Sequence, residues 1–114
     1  VVQGPHKKAI YLPDIDGWEN WPLRPMLQDV DAAWLDGTFF DYQEIPERDR
    51  AQIPHPCITE SIALWQGWSE EVRKKIRFTH LNHSNPVCLP GTEQERFVKE
   101  SGYQVAMEDE VFHL

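Results

Sequence analysis

The stretch "RFTHLNHSNP", Arg77 to Pro86, carries two of the chain's five histidines, His80 and His83, three residues apart. Asp14, in "YLPD", adds a carboxylate, and His55, in "IPHP", adds another imidazole. A neutral imidazole and a carboxylate brought to one place suit zinc, iron or manganese. Spacing alone does not bring them together. The chain has no Cys-x-x-Cys, no His-Glu-x-x-His and no glycine-rich phosphate loop. Any such chemistry therefore rests on the elements that gather distant residues.

Those elements follow from the pattern of apolar residues and breakers. "KAIYLPD" reads as a short buried strand that stops at Pro13. "GWENWPLRPMLQDV" reads as a loop with one helical turn. "AAWLDGTFF" reads as a second strand ending in a turn at Asp36 and Gly37, where Asp36 would bond its own local backbone together with Thr38. "DYQEIPERDRAQIPHP" is a long, proline-interrupted loop. A helix follows through Ile58, Ile62 and Trp65 with Thr59 as its cap, and "SEEVRKK" forms another capped by Ser69. "IRFTHL" is a strand. "GTEQERFVKESG" is a helix, with Thr92 as cap, Glu95 as capping-box partner and Gly102 at its end. "YQVAM" and "EVFHL" are expected as further strands. Strands alternating with helices give α/β layers.

In such sheets functional side chains collect at the carboxyl ends of strands. Asp14 and His80 both fall there, with Asp36 and Thr38 close by and His55 facing the same edge. His80 and His83 lie on one side only if the chain turns between them, and Asn82 and Ser84 suit such a turn. His83 then either binds substrate or, with Asn82 and Asn85, satisfies the loop's own backbone.

Composition sets outer bounds. The chain has 114 residues, 40% hydrophobic and 26% charged, which suits one globular domain. Its net charge is -8, which opposes binding to nucleic acid or an anionic membrane. Two cysteines, Cys57 and Cys88, are too few for a disulfide scaffold and read as inert reduced thiols in a cytoplasmic protein. The five tryptophans read as core or interface, His6 and His113 as surface residues, and Glu108 to Glu110 as a solvated turn.

The succession "YLPD", "WLDGTFF", "IPHPCITESI" and "IRFTHLNHSNP" resembles the second half of the metallo-β-lactamase fold. It is most similar to the pyrroloquinoline quinone biosynthesis protein B family, and more distantly to tRNase Z and its phosphodiesterase relatives. The resemblance runs from about Ala9 to the C-terminus. It implies an α/β (α+β) class, half of a four-layer αββα sandwich with a mixed sheet and flanking helices. Residues 1–114 would then be the C-terminal portion of such a domain. The superfamily's His-x-His-x-Asp-His motif is absent from this sequence.

The same resemblance implies roles. Asp14 and His80 would bind metal, and His55 would transfer a proton, as in the tRNase Z branch. His83 is expected to contact substrate from the loop. The metal would be zinc, with a two-metal site open, and iron or manganese as alternatives. Three functions follow. The first is a metal-dependent hydrolase using a metal-activated water, active only with the N-terminal half. The second is an iron-dependent oxidation of a peptide or small aromatic precursor. The third is a non-catalytic half-domain that completes a partner's fold. The expected partners are that N-terminal half or a second copy, and a small-molecule or peptide substrate.

Overall fold

Alternation of side chains across three short strands sets the architecture. In a computed structural model describing residues 1–114, β1 (Val2–Gln3), β2 (Lys8–Leu12), β3 (Ala32–Asp36), β4 (Ile76–Thr79) and β5 (Gln104–Val105) form a sheet in that spatial order. β1 runs antiparallel to β2, and the other neighbours are parallel. Parallel neighbours need crossovers, and these carry α1 (Leu23–Gln28), α2 (Ile58–Leu64), α3 (Glu70–Arg73) and α4 (Glu93–Glu100). The mixed sheet with flanking helices agrees with the expected class. No helix is long and apolar enough to cross a membrane.

The register aligns Ile10 with Ala33 and Ile76, and Leu12 with Leu35, Phe78 and Val105. These rows join the main core with Leu23, Leu27, Ile58, Trp65, Val72 and Val98 from the helices. The intervening row is Tyr11, Trp34, Arg77 and Gln104, on the opposite face because strands alternate. There the Arg77 guanidinium lies 5.2 Å from the Trp34 ring and 5.4 Å from Phe112. Its Nε donates to Glu110 at 3.0 Å. The last residues thus lie over this face, yet Tyr11 keeps 61% of its surface exposed.

Several local expectations need correction. "EVFHL" forms no strand. Its Phe112 packs edge-on against Trp34, and the Leu114 carbonyl accepts the His6 and Lys7 amides, so the segment crosses the sheet instead of extending it. Only Gln104–Val105 of "YQVAM" pairs. Glu108 to Glu110 form the expected exposed turn, closed by the Glu110 amide on the Met107 carbonyl, and Glu110 also pairs with Arg77. Cys57, not Thr59, is the cap of α2, and no side chain caps it. The carbonyls of Phe39 and Phe40 accept the Ile58 and Thr59 amides instead, so loop backbone replaces a side-chain cap. Ser69 caps α3 by position, without a side-chain bond. Thr92 does cap α4, but Glu95 accepts the Gly91 amide, one residue before the Thr92 amide that a capping box would use. Gly102 has φ +98, which suits the residue just past a helix end.

Candidate metal and acid–base site

Three parallel strands end side by side and define the site. Pro13 has no amide hydrogen to continue the ladder, so β2 stops at Leu12 and presents Asp14 in the next turn. β3 ends at Asp36, opposite Thr79 of β4. Gly37 then passes so close to β4 that a Cβ there would lie 2.8 Å from the Phe78 Cβ. Its amide donates to the Thr79 carbonyl at 2.8 Å. β4 ends at Thr79, and His80 follows with φ 62, a left-handed backbone that non-glycine residues rarely adopt.

Asp36 is the centre of this edge. It is fully buried, and its carboxylate accepts four hydrogen bonds. Oδ1 takes the Thr38 amide at 3.0 Å and the Thr38 hydroxyl at 2.8 Å. Oδ2 takes the Ile15 amide at 3.1 Å and His55 Nδ1 at 2.7 Å. A carboxylate has about four acceptor positions, so burial leaves none of them empty. The bond to Ile15 ties the Asp14 loop to β3.

His55 stands between Pro54 and Pro56, which restrict the backbone on both sides. Its side chain is 15% exposed and packs edge-on against Phe39. Asp14 Oδ1 lies 3.6 Å from the same Nδ1, on a side chain that is 69% exposed. Asp14, Asp36 and His55 offer ligand atoms all within 4.8 Å of one another. His80 Nδ1 lies 3.0 Å from the Thr38 hydroxyl, and its ring centre is 6.2 Å from that of His55. His55 opens on a cleft of about 800 Å³ whose walls include Asp16, Trp18, Tyr42, Arg50 and Glu60. His80 borders a separate cleft of about 1020 Å³ with Val87, Cys88 and Met107.

The structure therefore brings Asp14 to 3.6 Å from His55 Nδ1, while His80 reaches this edge through the Thr38 hydroxyl, with its ring centre 6.2 Å from that of His55. His83 lies apart. It sits in the turn closed by the Asn85 amide on the Asn82 carbonyl, and it is exposed. Asn85 is buried and donates to the Gly37 and Thr38 carbonyls, and the Asn82 amide also donates to Thr38, so the loops after β3 and β4 are tied together. Asp36 and Thr38 do build the expected local turn. They also carry the contacts to both histidines, which the sequence reading omitted. The available signal was the position of Asp36, an acidic residue at the end of the strand between those of Asp14 and His80.

No protein-family model and no curated protein matches this chain. Among solved structures, the crystal structure of Zn(2+)-bound PqqB from Methylobacterium extorquens aligns with a TM-score of 0.67 and 24% identity. The alignment covers 91% of this chain and 39% of the PqqB chain. The fold is thus PqqB-like, and the chain spans about 39% of that protein's length.

Proposed function

We propose that this chain supplies part of the active site of a metal-dependent hydrolase of the metallo-β-lactamase type. The observation that carries the proposal is the 2.7 Å bond from His55 Nδ1 to the buried Asp36 carboxylate, with Asp14 beside it. A carboxylate that accepts Nδ1–H leaves Nε2 of the same ring to exchange a proton with substrate. Neither His55 nor His80 uses Nε2 in a hydrogen bond.

The donor chemistry fits zinc. Asp36 has its acceptor positions filled, so its role is to orient His55. The resemblance assigns metal to the exposed Asp14 carboxylate and the His80 imidazole; of these, Asp14 belongs to the group of ligand atoms within 4.8 Å, with Asp36 and His55, and His80 stands beyond Thr38. When bound, zinc lowers the pKa of a coordinated water toward about 7. Catalytic zinc takes three protein ligands, so at least one further ligand would come from residues outside these 114. His55 would donate the proton to the leaving group, and Asp36 would hold the ring in place as it does so. His83 would contact substrate only as an exposed loop residue.

The sheet face with Tyr11, Trp34 and Arg77 is where the remaining half of such a domain would dock. Support for this is the exposure of Tyr11 on that face. The fold of a zinc-bound PqqB also leaves an oxidation at the same edge as a second reading, since the same N and O donors suit iron. Zinc loading of the product of the whole reading frame, followed by assays on phosphodiester, ester and lactam probes, tests the proposal. Zinc-dependent hydrolysis is the expected result. Dependence on iron and dioxygen, without hydrolysis, would replace it with the oxidative reading.

A further inference from the structure

We infer that Thr38 is a positioning residue that fixes which nitrogen of His80 carries the proton, leaving Nε2 as the free, electron-pair-bearing atom. The inference rests on the site reading above only for its use, since its geometry stands in the chain itself.

Three distances carry it. The Thr38 hydroxyl oxygen is 2.8 Å from Asp36 Oδ1, 3.0 Å from His80 Nδ1 and 3.4 Å from His55 Nδ1. A hydroxyl has one hydrogen to give and two lone pairs to accept with. Two acceptors compete for that hydrogen, a carboxylate and an imidazole nitrogen. The carboxylate contact is shorter, and a charged acceptor makes the stronger bond. The hydrogen therefore goes to Asp36. The contact with His80 can then be a hydrogen bond only if His80 Nδ1 donates. His55 Nδ1 spends its hydrogen on Asp36 Oδ2 at 2.7 Å, so the 3.4 Å approach to Thr38 adds little.

Asp36 thereby sets both rings in one tautomer, directly for His55 and through Thr38 for His80. Each keeps Nε2 unprotonated while neutral. The scaffold makes this arrangement rigid. The Thr38 amide is held by Asp36, and its carbonyl accepts from Asn82 and Asn85. The left-handed backbone at His80 turns the chain directly after β4, where this contact forms. A buried partner that fixes the tautomer of a ligating histidine typically changes metal affinity by about 10- to 100-fold when removed.

The test is nitrogen-15 NMR of the imidazoles in the 114-residue chain without metal, at about pH 9, where an ordinary imidazole is neutral. His55 and His80 are expected to carry the proton on Nδ1. In Thr38→Val, His80 should shift to the Nε2–H form that an unrestrained imidazole prefers, while His55 stays Nδ1–H. Thr38→Ser should restore the wild-type pattern at His80. The proposal is overturned if wild-type His80 carries its proton on Nε2. It is also overturned if His80 keeps the Nδ1–H form in Thr38→Val. The wild-type spectrum decides even if Thr38→Val does not fold. A separate zinc titration of the whole reading frame's product bears on the functional reading alone. Absence of zinc binding there would remove that reading and leave the tautomer result unaffected.

Discussion

Asp36 Oδ2 and His55 Nδ1 are 2.7 Å apart although 19 residues separate them, and the carboxylate is fully buried. This pair is the only link between the proline-bounded His55 loop and the end of β3 that combines a charge with an imidazole. Asp36 also fixes the turn at Thr38 and the entry to the Asp14 loop. Its removal should therefore cost both stability and chemistry.

Asp36→Asn tests this. The amide would turn a donor toward the Thr38, Ile15 or His55 donors that now face a carboxylate. Leaving such a group unpaired costs about 1–3 kcal/mol. Turnover should fall by about a hundredfold or more, because His55 loses its fixed orientation. Urea denaturation and steady-state kinetics measure the two effects. An unchanged denaturation midpoint would contradict the role given to Asp36.

His80 and His83 should differ. His80→Ala is expected to lower zinc occupancy severely, whereas His83→Ala should retain zinc and weaken substrate binding or turnover. Elemental analysis of both variants, prepared together, distinguishes them. Equal zinc loss would mean that both ligate, and full zinc in His80→Ala would deny the strand end its metal.

The backbone at His80 makes a further prediction. With φ 62, this residue occupies a region that costs a non-glycine residue about 1–2 kcal/mol. His80→Gly should therefore be more stable than His80→Ala by about 1 kcal/mol, against the usual penalty for glycine. Denaturation curves of the two variants give the order directly, and a less stable glycine variant would contradict the strained conformation.

The main strands were legible because Lys8–Leu12 and Ala32–Asp36 are mostly apolar and are followed by Pro13 and Gly37, while Ile76–Thr79 alternates buried Ile76 and Phe78 with Arg77 and Thr79. Asp14, His55 and His80 could be placed at one edge for the same reason. Asp36 was harder to place. An Asp-Gly pair explains itself as a turn, and its bonds to Ile15 and His55 span 21 and 19 residues, so only the fold reveals them. The C-terminal segment misled in the opposite way. "EVFHL" has three apolar residues in five, but Arg77 and Trp34 hold Glu110 and Phe112 over the sheet face. Neither α2's cap nor the left-handed His80 leaves a mark in residue type, since both are imposed by neighbouring loops.

Cys57 yields a pH prediction. Burial, reinforced by Glu60, Asp41, Glu44 and Asp36, pushes its thiol from 9.0 up to about 12. The folded chain then keeps a proton that the unfolded chain loses, so stability is full below about pH 9 and declines as pH rises toward 12. Cys57→Ala should show a shallower alkaline loss of stability than wild type. Guanidinium midpoints at several alkaline pH values check this, and parallel declines would contradict it. The thiol should also resist alkylation at neutral pH, since the thiolate is the reactive form.

His55 is expected to move a proton while other residues hold the metal. The most direct measurement compares wild type and His55→Ala, both loaded with zinc as the product of the whole reading frame, for zinc content and turnover on the same probe. Nearly equal zinc content is expected, with turnover lower by about a hundredfold or more. Loss of zinc in His55→Ala, or turnover equal to wild type, would contradict this role.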